Sequence, residues 1–318
     1  MGPGWYTNRQ IPWADTDEAQ MVKIGVIGTG LMGAPMALRL MSAGYQVWVY
    51  NRTQPRLKPL ELAGAKVCQT PDELLQAVDA VILMVTDAAA IRSLLPSPPG
   101  EATDPASQRS PLNNLTVIQM GTIAPAESQA LHQQLADLGA SYLEAPVLGS
   151  IPEAKTGKLI VMVGADAEQY QRWQPLLECF GSTLYHVGPV GTAAALKLAM
   201  NQLIGSLTAA FAQSLSLIQA AGIDVETFMA VVRQSALYAP TFDKKLKRMQ
   251  SGNFADPNFP TKHLLKDMGL FTEAAQAADL NTLPAESVRQ LVAEAVQAGF
   301  SEDDYSSIVA MVRSQAQP

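Results

Sequence analysis

Between Gly188 and Gly222 the only charged residue is Lys197, in the stretch GPVGTAAALKLAMNQLIG. Asn201 follows four residues later, which on a helix puts both side chains on one face. A lysine so placed can protonate the oxyanion that forms when a hydride reaches a carbonyl, and the asparagine can orient the lysine or the substrate. The same lysine can also snorkel its amine to solvent from an apolar helix, and spacing leaves both readings open.

The second chemical feature is Gly28-Thr29-Gly30-Leu31-Met32-Gly33, set between the apolar run KIGVIG and a helix-like pattern. In a strand–turn–helix, the first glycine permits the tight turn and the second lets backbone approach a pyrophosphate. The third packs helix against strand, and the helix N-terminus presents free N–H groups to the anion. A second strand candidate ends at Tyr50, about one βαβ unit of ~30 residues on. Where an NAD site offers Asp or Glu to the ribose, this chain reads Asn51-Arg52-Thr53. A guanidinium suits a 2′-phosphate, and Asn and Thr can hydrogen-bond it. NADP(H) is therefore the expected cofactor, the alternative being that Arg52 is a plain surface arginine.

These residues need a scaffold, and the chain supplies two textures. From Met21 to about Tyr185, strand candidates (KIGVIG, YQVWVY, AVILMV, TVIQM, SYLEAPV, KLIVMVG) alternate with helical ones (APMALRLMSAG, PDELLQAV, ESQALHQQLADLG). Such alternation predicts an α/β fold, a Rossmann-type doubly wound parallel sheet. After Gly188 the pattern is helical throughout, predicting a smaller all-α domain. The expected division is a loose extension at 1–20, a cofactor domain at 21–187 and an all-α substrate and oligomerisation domain at 188–318. Ser301-Glu-Asp-Asp304 before YSSIVAMV reads as a capping signal, and PSPPGEATDPASQRSPLNN at 96–114 as an exposed loop.

Composition narrows the partners. The 318 residues are 48% apolar and 16% charged, with a net charge of −7, which speaks against a nucleic-acid backbone. The basic run Lys244-Lys245-Leu-Lys247-Arg248 reads as a solvated helix face. Cys68 and Cys179 lack metal spacing and read as small core hydrophobes. His132, His186 and His263 are scattered, so no metal is expected. The first twenty residues carry no export-type apolar core, and a cytoplasmic setting is expected. Leu198 to Gly222 is long enough to span a bilayer, but its many Asn, Gln, Ser and Thr residues predict a buried core helix instead.

Five ordered stretches carry a resemblance over nearly the whole chain: GVIGTGLMGAPMALRL…NRT, IQMGTIAPAES, EAPVLGSIPEAKTGKLIVMVGA, GTAAALKLAMNQ and FPTKHLLKDMGL. Together they resemble the β-hydroxyacid dehydrogenase family, and FPTKHLLKDM with the NRT ending is most similar to its glyoxylate/succinic semialdehyde reductase branch, which uses NADPH. The resemblance implies that Lys197 is the catalytic lysine and Asn201 its partner. It implies that Leu148-Gly149-Ser150 holds a substrate carboxylate through backbone amides, and that Val85, Thr86 and Thr122 contact the cofactor. It further implies that Lys266 reaches the cofactor, that Phe259 and Asp267 line the substrate pocket, and that the protein is a homodimer or homotetramer. The implied reaction is NADPH-dependent reduction of a small aldehyde-acid. Oxidation of a related β-hydroxyacid, imine reduction and a non-catalytic NADP-binding scaffold are the alternatives. The chain departs from the family pattern at Leu148, where a serine is usual, at Gln202 in place of a second asparagine, at Thr29, and in the length of the 96–114 loop.

Overall fold

The structure is a computed structural model that describes residues 22–95 and 112–313. The 1–20 extension and residues 96–111 of the Pro/Ser-rich loop lie outside the described residues. Two compact units are present among the described residues: 22–95, 112–121 and 126–193 form the first, and 122–125 with 194–313 the second. The division thus falls after Ala193, six residues beyond the expected boundary, and assigns the short Thr122–Pro125 segment to the later unit.

The first unit is built on strands β1 (Lys23–Ile27), β2 (Gln46–Tyr50), β3 (Lys66–Val67), β4 (Ala80–Leu83), β5 (Thr116–Gln119), β6 (Ser141–Glu144), β7 (Val147–Leu148), β8 (Ile160–Gly164) and β9 (Thr183–Gly188). The sheet order is β3-β2-β1-β4-β5-β6-β8-β7, with β9 beside β8. The first six strands run parallel, and β8 is antiparallel to β6 and β7. Order 3-2-1-4-5-6 is that of a dinucleotide-binding sheet. Strands β4 and β5 are buried at every position, as expected of central parallel strands covered on both faces. The covering helices are α1 (Gly33–Ser42), α2 (Lys58–Leu62), α3 (Pro71–Ala77), α4 (Ala88–Leu94), α5 (Pro125–Asp137), α6 (Ile151–Thr156) and α7 (Ala167–Leu177). The apolar stretch SYLEAPV does not run on as one strand but breaks at Ala145-Pro146, because proline cannot donate to a ladder. β3 has two residues and β9 is largely exposed, so neither shows the apolar run that marks a strand in sequence.

The second unit is helical: α8 (Thr192–Ala220), α9 (Val225–Gln234), α10 (Pro240–Ser251), α11 (Thr261–Ala277), α12 (Leu283–Ala295) and α13 (Val309–Val312). Two side-chain clusters form its core, one around Phe211, Phe242 and Met249 and one around Leu264, Met268 and Val292. Two local expectations are corrected here. Lys245 is not on a solvated face: it is 8% exposed and its ammonium lies 2.8 Å from the fully buried Asp304 carboxylate and over the Tyr305 ring. The cap before YSSI is Asp304 itself, accepting from Ser306 N–H at 3.1 Å, rather than Ser301.

α8 is long and apolar enough to cross a membrane by length and composition, but only 33% of its most apolar window is buried within this chain. It is therefore less covered than a central core helix. Leu198, Ala212 and Leu215 face inward, whereas Leu203, Leu207 and Leu217 are exposed. Its polar groups are partly spent internally, Gln202 on Ser206 at 2.9 Å and Thr208 on the Ile204 carbonyl at 2.8 Å.

Candidate active site

The glycine turn has the geometry its spacing predicts. Gly28 has φ +94°, and a Cβ there would lie 2.4 Å from the Met84 carbonyl. A Cβ on Gly33 would lie 2.0 Å from the Gly28 carbonyl, so α1 starts in direct contact with the turn. Gly28 N–H donates to the Tyr50 carbonyl at 3.1 Å. Asn51 clamps the other side: its Oδ1 accepts from Thr29 N–H at 3.2 Å and its Nδ2 donates to the Thr53 carbonyl at 3.0 Å. Asn51 thus shapes the loop with both ends of its amide. Arg52 and Thr53 are exposed beside it. Leu31 is also exposed at the tip of the turn, and Met32 is half-buried. Thr29 is buried, and its hydroxyl has no hydrogen-bond partner among the described residues.

Arg56 was not singled out in the sequence. Its Nη1 lies 4.0 Å from the position a Cβ would take on Gly30, which brings an exposed guanidinium to the glycine turn. The signal was present as a second arginine five residues after Asn51. The glycine cradle, an orphan hydroxyl inside it and two exposed guanidinium groups beside it together fit an anionic dinucleotide.

Further along the sheet, Val85 is half-buried and Thr86 exposed just past β4. A Cβ on Gly121 would lie 2.6 Å from the Val85 carbonyl and 3.5 Å from Gln119 Nε2. Gln119 is buried at the end of β5, with that amide nitrogen unpartnered among the described residues. Next to it in register is Glu144, 1% exposed, whose Oε1 accepts from Gly191 N–H and Ala193 N–H, both at 2.8 Å. Its Oε2 accepts from the Ser128 hydroxyl, which also bonds Tyr142 at 2.7 Å. Burial pushes the Tyr142 phenol far up, so it stays a neutral partner. Glu144 is a buried carboxylate at the start of α8, where the helix dipole favours it.

Leu148, half-buried, ends β7, and Gly149 with φ +129° and Ser150 follow it. Glu153, three residues on, accepts through Oε2 from Ser150 N–H at 2.8 Å and from the Ser150 hydroxyl at 2.7 Å. The pattern Ser150-Ile-Pro-Glu153 is the sequence mark of a capping box, which sequence reading had passed over.

In the second unit, residues far apart in sequence converge. Lys266 Nζ donates to the Thr122 carbonyl at 2.7 Å and pairs with Asp267 Oδ1 at 2.7 Å. Asp267 Oδ2 accepts from Asn201 Nδ2 at 2.6 Å, leaving Asn201 Oδ1 buried and unpartnered among the described residues. Lys197 lies one turn before Asn201 on α8, half-buried. Burial draws its amine down from 10.5 to about 8; Asp267 works against that shift and Lys266 adds to it. Phe259 is half-buried at the start of α11, edge-on to Tyr305 and stacked on His263. The other histidines are in packing roles: His186 bonds the Ala165 carbonyl at 2.8 Å, and His132 lies against Tyr142. Among the described residues, no group of three or more His, Cys, Asp or Glu could hold a metal ion.

Comparison with known proteins decides the family. Residues 23–188, more than half of the chain, match the family described as the NAD binding domain of 6-phosphogluconate dehydrogenase. Residues 191–312 match that described as NAD-binding of NADP-dependent 3-hydroxyisobutyrate dehydrogenase. Glyoxylate/succinic semialdehyde reductase 2, chloroplastic, from Arabidopsis thaliana is 33% identical over 94% of this chain and 81% of its own length. The chain belongs to the β-hydroxyacid dehydrogenase family. It is accordingly an NAD(P)-dependent oxidoreductase acting on CH–OH groups. The 3-hydroxyisobutyrate dehydrogenase of Salmonella typhimurium shares the fold, with a TM-score of 0.79 at 24% identity over 91% of this chain and 99% of that one. Psf3, solved in complex with NADP+ and 2-OPP, aligns with a TM-score of 0.77 at 25% identity over the same shares of the two chains.

Proposed function

We propose that this β-hydroxyacid dehydrogenase is an NADPH-dependent reductase of small aldehyde-acids, glyoxylate or succinic semialdehyde, with Lys197 as the proton donor. The observation that carries this reading is the Lys197 amine, drawn down to about 8 by burial and flanked by the Asn201–Asp267–Lys266 network. At pH 7 such an amine is mostly protonated yet gives up its proton far more readily than an ordinary lysine. The named activity of the Arabidopsis relative supports the substrate class.

Bound NADPH supplies the hydride. Gly28, Gly30 and Gly33 would let the backbone approach the pyrophosphate, and Arg52 and Arg56 would hold the 2′-phosphate. Thr53, Val85, Thr86 and Thr122 complete the cofactor's surroundings. With the hydride going to the aldehyde carbon, Lys197 would deliver its proton to the carbonyl oxygen, giving the hydroxyacid. Asn201, fixed by Asp267, offers its free Oδ1 to the ammonium or the new hydroxyl. Lys266 holds the Thr122 carbonyl, Phe259 is assigned to the substrate, and the backbone of Leu148-Gly149-Ser150 to the substrate carboxylate. We further place the protein in the cytoplasm as a homodimer or homotetramer, in which the exposed Leu203, Leu207 and Leu217 of α8 are covered by a second copy.

The test is NADPH oxidation with glyoxylate, succinic, tartronate and methylmalonate semialdehydes, each repeated with NADH. One fast aldehyde and a clear NADPH preference are expected. Tight NADPH binding with no turnover on any of them would favour a non-catalytic NADP-binding scaffold.

A further inference from the structure

The last rung of the sheet runs Tyr50, Ile27, Leu83, Gln119, Glu144 across β2, β1, β4, β5 and β6. Gly28 opens the glycine turn immediately after Ile27, and Asn51-Arg52 follow Tyr50 on the β2 side. With a 2′-phosphate taken on that side, a dinucleotide crossing the turn carries its other half over the ends of β4 and β5. Gln119 stands there, two strands along from the turn, about 10 Å at the usual spacing between strands. It is 1% exposed, and its Nε2 has no hydrogen-bond partner among the described residues.

The chain leaves this donor open in two ways. Position 121 is glycine, and a Cβ there would stand 3.5 Å from the Gln119 Nε2 and 2.6 Å from the Val85 carbonyl, so a larger residue would crowd the amide. The neighbour on the rung, Glu144, spends Oε1 on Gly191 and Ala193 and Oε2 on Ser128, not on Gln119. The same carboxylate sets the charge of the place. A phosphate or carboxylate brought to Gln119 would lie beside it, and like charges in proximity oppose binding. The acceptor that suits a neutral buried donor here is itself neutral. In the nicotinamide half of the cofactor, the carboxamide carbonyl is such an acceptor, at the end farthest from the pyrophosphate.

We propose that Gln119 is a cofactor-positioning residue: its Nε2 donates to the carboxamide carbonyl of the nicotinamide and so fixes the rotation of the ring. This rests on the reading that the first unit holds NADP(H). The competing role, a strand-end residue buried for packing, uses the same location but predicts no distinction between the whole dinucleotide and its adenosine half.

The two roles separate in Gln119→Met, which keeps the length of the side chain and removes the donor. Dissociation constants are read by calorimetric titration, with no turnover, for three ligands. These are NADP+, its thionicotinamide analogue, in which a weakly accepting sulfur replaces the carboxamide oxygen, and 2′,5′-ADP, which lacks the nicotinamide half. NAD+ and ADP form a second pair, so that the preference between the two cofactors does not decide the result. The unmodified protein should bind NADP+ about tenfold more tightly than the thionicotinamide analogue, the size of one buried hydrogen bond. Gln119→Met should lose about tenfold on NADP+, show no preference over the analogue and leave 2′,5′-ADP unchanged. Its melting temperature should be preserved or raised, since an unpaired buried donor has been removed. Equal losses on NADP+ and 2′,5′-ADP, or no loss on either, overturn the proposal and assign Gln119 to packing. Should Gln119→Met fail to fold, equal affinity of the unmodified protein for NADP+ and its analogue overturns it as well. Those results leave the cofactor reading standing. Failure of the unmodified protein to bind either dinucleotide or either adenosine half refutes that reading and the proposal together.

Discussion

If Lys197 donates the proton, its depressed pKa must appear in the rate. The amine is drawn from 10.5 to about 8 chiefly by burial, and a donor works only while protonated. The fraction protonated is then about 0.9 at pH 7, about 0.1 at pH 9 and about 0.01 at pH 10, whereas an ordinary lysine would still be about 0.97 protonated at pH 9. Between pH 7 and pH 10, kcat/KM for aldehyde reduction should fall close to a hundredfold on a single limb of unit slope. Asp267 is the neighbour that raises the amine's pKa, so Asp267→Asn should move that limb to lower pH. Stability carries the opposite sign to the usual lysine case. The folded-state value lies below the unfolded one, so the folded state binds fewer protons between about 8 and 10.5 and gains stability as pH rises through that window. Below about 8 the charged, half-buried amine costs on the order of 3 kcal/mol. Lys197→Met should therefore lower kcat by about a hundredfold or more while raising stability to urea by about 1–3 kcal/mol. A profile flat to pH 9.5, or a folded Lys197→Met with near-normal kcat, would refute the assignment.

The cofactor preference should reside in two arginines: Arg52→Ala and Arg56→Ala should each weaken NADPH about tenfold and hardly change NADH, as read by fluorescence titration. Equal losses for both cofactors would place neither guanidinium on a 2′-phosphate. In the second unit, Lys245→Met leaves the fully buried Asp304 carboxylate without its ammonium, at a cost of about 3–5 kcal/mol. A loss below about 1 kcal/mol in urea denaturation would mean that Ser306 alone satisfies Asp304.

What the sequence made legible follows from how much of each feature is local. The glycine turn, the six apolar strand runs and the uncharged helix holding Lys197 are written in consecutive residues, and steric or burial rules read them directly. Lys245 was misjudged because its partner Asp304 lies fifty-nine positions away and nothing in KKLKR announces a buried carboxylate. Glu144 looked like one strand residue among others; its neighbours Ser128, Tyr142, Gly191 and Ala193 come together only in the folded sheet. Glu153 was legible, since S-x-x-E is a local pattern, but the family resemblance drew attention to Leu148-Gly149-Ser150 as a substrate loop rather than to the cap. The exposure of α8 lies at a different level. Its composition fits a core helix, and which leucines remain uncovered depends on how much helix the rest of one chain can wrap.

The buried polar atoms separate what the fold needs for itself from what it holds open. Glu144 is closed, with both carboxylate oxygens spent on N–H and O–H groups of the same unit, and its contribution is architectural. Thr29 Oγ1, Gln119 Nε2 and Asn201 Oδ1 are buried without partners among the described residues, and each such group costs about 1–3 kcal/mol. An open atom alone does not mark a site, because Ser216 Oγ and Gln169 Oε1 are also without partners and lie on no motif. The first three differ in position. Thr29 lies inside the glycine turn after β1, Gln119 closes β5 at the carboxyl edge where a sheet of this order binds its ligand, and Asn201 stands one turn beyond Lys197. Cost without internal return thus falls at Thr29 and Asn201, which the sequence had marked for cofactor and catalytic roles, and at Gln119, which it had not.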